Sequence, residues 1–102
     1  MSIGFELEVT DDLLNEIEIA YRQFEIHGYI SDENTSLGST IFEHETDFLY
    51  KEFCKLGYDG ERFTCYGDYY PSLGAVYWIC DSRVMSYEES RKFTGQLIAN
   101  QV

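Results

Sequence analysis

At the start of the chain, hydrophobic residues occupy every second position. These residues are Ile3, Phe5, Leu7 and Val9. Their alternation with glycine and glutamate predicts a β-strand over residues 3–9 that is buried on one face and acidic on the other. Thr10, Asp11 or Asp12 follows with a side-chain oxygen that can cap a helix.

Beyond this cap, the hydrophobic residues recur at the spacing of a helix. The residues on one arc are Leu13, Leu14, Ile17, Ala20, Tyr21 and Phe24. Gly28 supplies a stop signal, so the pattern predicts an amphipathic helix that ends there. Ile19 and Ile26 lie on the opposite face, and we expect the loop after the helix to cover them. The alternative is an exposed apolar seam between acidic flanks.

The middle of the chain predicts a loop and a second helix. Residues 31–39 are rich in Ser, Asp, Asn and Gly, which is typical of a loop. The helix begins either at Thr40, with a capping box to Glu43, or at Thr46. In the later case residues 40–45 form a short strand. Gly57 provides the C-terminal stop.

The second half predicts a hairpin. Residues 62–66 and 75–80 are rich in aromatic and β-branched side chains, as strands are. Residues 67–74, which contain glycine and proline, form the connecting loop. The second run includes Trp78 and is hydrophobic on both faces, which indicates a central strand covered on both sides.

A capping box formed by Ser86 and Glu89 predicts a last helix that extends to Ala99, with Phe93 and Leu97 facing inward. The predicted order is strand, helix, helix, strand, strand, helix. The simplest architecture for this order is a three-stranded, largely antiparallel sheet with three helices, in a small single acidic α+β domain that spans residues 1–102.

The composition supports a folded domain and places most of its charge in one half. Hydrophobic residues make up 44% and aromatic residues 17%, far more than in a disordered acidic segment. The formal net charge is −12, from 19 acidic and 7 basic residues. Residues 1–50 contain one base, Arg22, and twelve acids. These acids are Glu6, Glu8, Asp11, Asp12, Glu16, Glu18, Glu25, Asp32, Glu33, Glu43, Glu45 and Asp47.

This charge excludes some partners and favours others. Direct binding to nucleic acid or to an anionic membrane requires Lys and Arg, so we expect neither. No hydrophobic run is long enough to span a bilayer, and the N-terminus lacks the basic and apolar regions of a signal peptide. The odd number of cysteines, three, fits a reduced environment. We therefore expect a cytoplasmic protein, monomeric or dimeric, with a basic partner.

One stretch has the spacing of a calcium-binding EF-hand loop. Its oxygen-bearing residues are Asp32, Asn34, Ser36, Thr40 and Glu43. The position that needs glycine for the sharp turn holds Leu37, so the match fails where the loop geometry is decided. We expect no metal ion at this stretch.

The motifs of catalysis are equally lacking. There is no zinc-binding His and Cys spacing, nucleophile elbow, dinucleotide-binding glycine pattern or P-loop. Cys65 and Cys80 fall within hydrophobic strand patterns, as core cysteines do. We therefore predict that the chain is not an enzyme and has no cofactor.

Tyrosine is abundant, with nine residues. Large amphipathic side chains of this type are preferred anchors at protein interfaces. Tyr69 and Tyr70 fall in the predicted hairpin loop, ahead of Pro71, and are the best candidates for exposed anchors. The predicted partner-binding residues are therefore these two tyrosines and the twelve acids of residues 1–50.

These features favour an inhibitor that occludes the basic nucleic-acid-binding surface of a nuclease-type effector. Carboxylates along a helix and strand imitate phosphates and capture Lys and Arg side chains. In composition alone, the chain resembles phage anti-CRISPR and anti-restriction DNA mimics, and equally the acidic immunity proteins that neutralise nuclease toxins. A non-inhibitory protein-binding adaptor or regulator is a further alternative.

Overall fold

The computed structural model describes residues 7–101. Its elements follow one another as α1 (Asp11–His27), β1 (Tyr29–Ser31), α2 (Ser39–His44), α3 (Thr46–Lys55), β2 (Cys65–Tyr70), β3 (Gly74–Cys80) and α4 (Tyr87–Ala99). The α+β class is confirmed, with four helices. Of the predicted first strand, residues 3–6 lie outside the described residues, and residues 7–9 are not in a strand.

The three strands form one antiparallel sheet in the order β1-β3-β2. The predicted antiparallel sheet and the central position of β3 are therefore confirmed. The strand on one side of β3 is β1, which pairs Tyr29 with Cys80 and Ser31 with Trp78. This strand was not predicted, because three residues directly after a helix are too few to show an alternating pattern.

Strand β2 lies further along the chain than the sequence predicts. It covers Cys65–Tyr70, so the first half of the expected loop 67–74 is strand. Gly67 and Asp68 are poor strand formers, but each makes a contact with another element that favours its position in the strand. A Cβ atom on Gly67 would lie 3.0 Å from the ring of Tyr77, so glycine leaves room for that ring. Asp68 accepts a hydrogen bond from Nε of Arg91 at 3.1 Å.

Helix α1 begins and ends at the predicted capping residues. Oγ1 of Thr10 accepts a hydrogen bond from the Leu13 amide at 3.1 Å. Gly28 has a φ of 70°, a conformation that favours glycine, and its amide donates to the carbonyl of Phe24. Four residues of the predicted arc are buried, namely Ile17, Ala20, Tyr21 and Phe24.

Helices begin at or beside both predicted starts of the second helix, but the predicted capping box from Thr40 to Glu43 is wrong, because the N-cap of α2 is Gly38 and no side chain caps it. α2 begins at Ser39 and α3 at Thr46, so the short strand considered for residues 40–45 is wrong. The two helices are separate because Glu45 has φ −126° and ψ 34°, outside the helical region. α3 then ends at Lys55, close to the predicted glycine stop.

Helices cover both faces of the sheet. On one face, Ile30 and Ile79 join a core with residues of α1, α2 and α3, in which the rings of Tyr21 and Phe53 are 5.0 Å apart. On the other face, Trp78 donates a hydrogen bond to Oγ of Ser90 in α4. Neighbouring strand residues point to opposite faces, so the sheet is the middle layer.

Helix α4 begins with the predicted capping box between Ser86 and Glu89. Its inward face, however, consists of Ser90, Thr94 and Ile98. Phe93, predicted to face inward, packs against Tyr29 of β1 with ring centroids 4.9 Å apart but is 40% exposed, and Leu97 is partly buried, so both lie at the edge of the interface and not at its centre. The physical reason is hydrogen bonding. The small hydroxyl residues of α4 bond to side chains of the sheet, as Ser90 does to Trp78, and these bonds determine which face of the helix is turned inward.

Candidate protein-binding surface

The outer face of α1 gathers five of the predicted acidic residues. They are Asp11, Asp12, Glu16, Glu18 and Glu25. Because the opposite arc of the helix packs into the core, these carboxylates point away from it; Glu16 is partly buried and the other four are exposed. Glu8 is exposed in the segment just before the helix. The periodicity of the sequence was enough to predict this arrangement.

Arg22 is the one Lys or Arg residue of α1, and it lies among these acids. Its guanidinium nitrogens are 4.0 Å from the Glu18 carboxylate and 3.6 Å from that of Glu25. All three side chains are at least half exposed, so water and salt screen these ion pairs strongly. With five carboxylates and one guanidinium, the helix keeps a formal charge of −4.

Two isoleucines lie in the middle of the acidic face. Ile19 is 53% exposed and Ile26 is 74% exposed, so the prediction that the following loop covers them is wrong. The loop runs along one flank of α1, where the side-chain amide of Gln23 donates to the carbonyl of Asn34 at 3.1 Å. It therefore approaches Ile19 from the side and leaves both isoleucines open to a partner.

A small hollow lies between this loop and α1. It has a volume of about 230 Å³. Glu16, Ile19, Ala20 and Gln23 line it on the helix side, and residues 34–36 line it on the loop side. The sequence did not predict this hollow, because it requires the loop to be placed against the helix.

The acidic residues of the loop after β1 have a different environment. Asp32 accepts hydrogen bonds from Oγ of Ser39 at 2.8 Å and from the backbone amide of Tyr77 at 3.3 Å. It therefore ties the loop to α2 and β3. Glu33 is partly buried beside it. Only the tertiary fold could reveal that Asp32 has this internal role.

The calcium-like spacing is not a loop in the structure. Thr40 and Glu43 lie on α2, whereas Asp32, Asn34 and Ser36 lie before it. Within residues 7–101, no group of three or more His, Cys, Asp or Glu side chains is arranged to hold a metal ion.

The acids of α2 and α3 form a separate group from those of α1. Glu43 is exposed, and its carboxylate is 3.8 Å from Nε2 of His44. Glu45 is at the junction of the two helices. Asp47 lies 3.5 Å from Nε of Arg62, and both side chains are mostly exposed. Glu6 lies outside the described residues.

Tyr69 and Tyr70 lie at the end of strand β2 and do not form a common anchor. As consecutive strand residues they point to opposite faces of the sheet. Tyr69 is 70% exposed, whereas Tyr70 is partly buried. A Cβ atom on Gly95 of α4 would lie 3.9 Å from the Tyr70 hydroxyl, which places this tyrosine on the α4 side.

A second cleft, of about 360 Å³, lies between residues 58–66 and residues 80–87. Arg83 is part of the lining. It donates hydrogen bonds to both carboxylate oxygens of Asp81, at 2.9 and 3.1 Å, and to Asp59 at 3.0 Å. These hydrogen bonds lower the pKa of Asp81. The cleft is therefore lined by an ion-paired group that joins two loops.

The partly buried cysteines have little nucleophilic character. Burial is the main cause that raises the pKa of the Cys65 thiol to about 11, and burial also raises the pKa of Cys80. A thiol with a raised pKa carries little of the reactive thiolate at neutral pH.

No helix within residues 7–101 is long and apolar enough to cross a membrane. Comparison with known protein families, with curated proteins and with solved structures finds no match to this chain.

Proposed function

We propose that this chain is an inhibitory binding protein that uses the outer face of α1 to occlude the basic nucleic-acid-binding surface of a nuclease-type effector. The observation that carries the proposal is the exposure of the α1 carboxylates on one rigid helix, with a single base among them. The proposed place of action is the cytoplasm of the cell that contains the effector.

The charge along α1 supports partial mimicry of a nucleic-acid strand. Asp11 and Glu25 are fourteen residues apart in the sequence, which corresponds to about 21 Å of helix. One strand of a DNA duplex presents about six phosphates over that length. The helix presents five carboxylates over the same length. At about 3.6 residues per turn, Asp11, Glu18 and Glu25 follow one flank of the helix, and the other two carboxylates follow the opposite flank. A single row of Lys or Arg side chains therefore meets three anions, about half the number of phosphates in one strand.

The exposed isoleucines support a protein as the partner. Ile19 and Ile26 lie between the carboxylates, where a purely solvated acidic face would have polar residues. Long-range attraction speeds encounter, while burial of apolar side chains slows dissociation. Together they favour a stable complex over a loose ionic contact.

The test measures cleavage by guide-loaded CRISPR effectors and restriction complexes in the presence of the purified protein. The double variant Glu16→Lys and Glu18→Lys reverses two charges on α1. The matched control, Glu61→Lys with Glu88→Lys, makes the same charge change at exposed positions of the second half. We expect inhibition of at least one effector, a loss of at least tenfold in the α1 variant, and less than a twofold change in the control.

Salt provides a second measurement. Binding that depends on ion pairs between surface groups weakens as salt rises from about 0.05 to 0.5 M, because the Debye length falls.

Equal inhibition by the two double variants would refute the role of α1. Lack of inhibition across the panel, with capture of only a small basic toxin domain, would instead support an immunity protein.

A further inference from the structure

The hollow beside Ile19 has the geometry by which one helix receives a side chain from another protein. Glu16, Ile19, Ala20 and Gln23 are related as positions i, i+3, i+4 and i+7 of α1. Four residues with this spacing form the hole into which a knob side chain packs in helix–helix interfaces. The small side chain of Ala20 leaves space at the base of the hole, and loop residues 34–36 form one of its sides.

The dimensions of this hole suit one inserted side chain. Its volume of about 230 Å³ is below the range of about 300–1,000 Å³ typical of small-molecule pockets. The wall formed by Gln23 is held in place, because its amide nitrogen donates to the Asn34 carbonyl. The hole therefore exists before binding. The main entropic cost of insertion is then the ordering of the inserted side chain itself.

The chemistry of the lining selects the type of side chain. Ile19 and Ala20 are apolar, while Glu16 contributes a carboxylate and residues 34–36 are polar. Within residues 7–101, Glu16 makes no ion pair, unlike Glu18 and Glu25, which share Arg22. A long side chain with an apolar stem and a cationic head satisfies both parts of the lining.

We infer that this hole receives a single Lys or Arg side chain from the basic surface of the partner protein. The stem packs against Ile19 and Ala20, and the head pairs with Glu16. This inference rests on the proposed function and makes it more specific. If diffuse charge mimicry alone drives binding, every α1 carboxylate contributes similarly to the affinity. If a side chain is inserted, Glu16 and Ile19 contribute more than their neighbours on the helix.

The probe for this site is a hexa-arginine peptide, titrated into the isotope-labelled protein at low salt and followed by amide chemical shifts. Two pairs of variants make the same chemical change on the same helix. Glu16→Gln removes the rim charge and Glu18→Gln is its control. Ile19→Ser removes the apolar wall and Ile26→Ser is its control, since neither control residue lines the hole.

We expect the largest shifts at Ile19, Ala20 and residues 34–36, and at least a fivefold loss of peptide affinity in Glu16→Gln and in Ile19→Ser. Glu18→Gln and Ile26→Ser, which belong to the same α1 face but do not line the hole, should each lose less than half as much affinity as their counterparts, and Glu61→Gln, outside that face, should change the affinity less than twofold. A Ser36→Trp variant, which fills the hollow from the exposed loop without a change of charge, should also abolish the loop shifts.

Two results would overturn the inference. One is an equal loss of affinity in Glu16→Gln and Glu18→Gln, with no shift at residues 34–36; diffuse charge would then account for binding, and the proposed function would stand. The other is peptide binding that Ile19→Ser and Ser36→Trp leave unchanged. Failure of the proposed function is recognised separately, by effector inhibition that survives reversal of the charges at Glu16 and Glu18.

Discussion

The interface between α4 and the sheet depends on a buried pair of hydroxyl groups. The hydroxyl of Tyr29 in β1 is hydrogen-bonded to Oγ1 of Thr94 in α4. Thr94 also donates to the Ser90 carbonyl within α4 at 2.8 Å, so its bond with Tyr29 joins the helix to the sheet, as the bond between Trp78 and Ser90 also does. Both residues are almost fully buried, with 1% and 0% exposure.

Because the two residues are coupled, the cost of one substitution should depend on the other. Thr94→Val keeps the shape of the side chain but leaves the Tyr29 hydroxyl without this acceptor. An unpaired buried hydroxyl costs about 1–3 kcal/mol. In a Tyr29→Phe background that hydroxyl is already gone, so Thr94→Val should cost less by at least about 1 kcal/mol.

Urea unfolding of the four proteins of this cycle measures the coupling. Trp78 is the single tryptophan and lies on the neighbouring strand, so its fluorescence reports on the interface in every variant. A domain of this size has a free energy of unfolding of about 5–15 kcal/mol, so each variant should remain folded. Tyr69→Phe is the matched control at an exposed tyrosine, where we expect a change below about 0.5 kcal/mol.

Additive costs would refute the coupling between Tyr29 and Thr94. If Thr94→Val destabilises the wild type and the Tyr29→Phe protein equally, the two hydroxyls do not stabilise each other. Circular dichroism should show unchanged helix content in all four proteins. A loss of α4 in either single variant would mean that the substitution disturbs packing and does more than remove one hydrogen bond.

Two further predictions concern the loops around the sheet. Gly28→Ala should cost about 2–4 kcal/mol in the same urea assay, because the left-handed backbone is strained and the new Cβ would lie 2.6 Å from Val84. Gly74→Ala, with φ of 84° and open space around the new Cβ, should cost about 1–2 kcal/mol from backbone strain alone. Equal costs would contradict the proposed contact. Asp81→Asn should cost about 1–2 kcal/mol at neutral pH, since Arg83 is half exposed. Hydrogen bonds from Arg83 hold the pKa of Asp81 below its ordinary 3.8, so this stabilisation is complete above pH 3.8 and is lost as the pH falls through the lowered pKa; a difference from wild type that grows on acidification would argue against the pair.

Signals that act over a few residues could be predicted from the sequence. The cap at Thr10, the stop at Gly28 and the capping box that begins at Ser86 each depend on one turn of backbone and its own side chains. The exposure of the α1 acids follows from the same periodicity. These features are correct because no distant residue changes them, whereas the equally local capping box predicted from Thr40 to Glu43 is wrong, since α2 begins earlier, at Ser39.

Features decided by distant contacts could not be predicted in this way. Gly67 and Asp68 indicate a loop by propensity, yet the space for the Tyr77 ring and the ion pair with Arg91 place them in a strand. The loop that was expected to cover Ile19 is instead held beside it through Gln23. In each case a tertiary contact outweighs a weak local preference.

The α1 carboxylates differ in how much each of them stabilises the folded protein. Asp11 and Asp12 lie in the first turn, where negative charge stabilises the helix dipole. Glu18 and Glu25 flank Arg22 at intervals that stabilise a helix. Glu16 has neither role within the described residues, and it is the partly buried one at the rim of the hollow. A partly buried carboxylate gains most from a cation brought by another molecule, since less water screens the pair. Its replacement by glutamine should therefore separate binding from stability more cleanly than any other change on this helix.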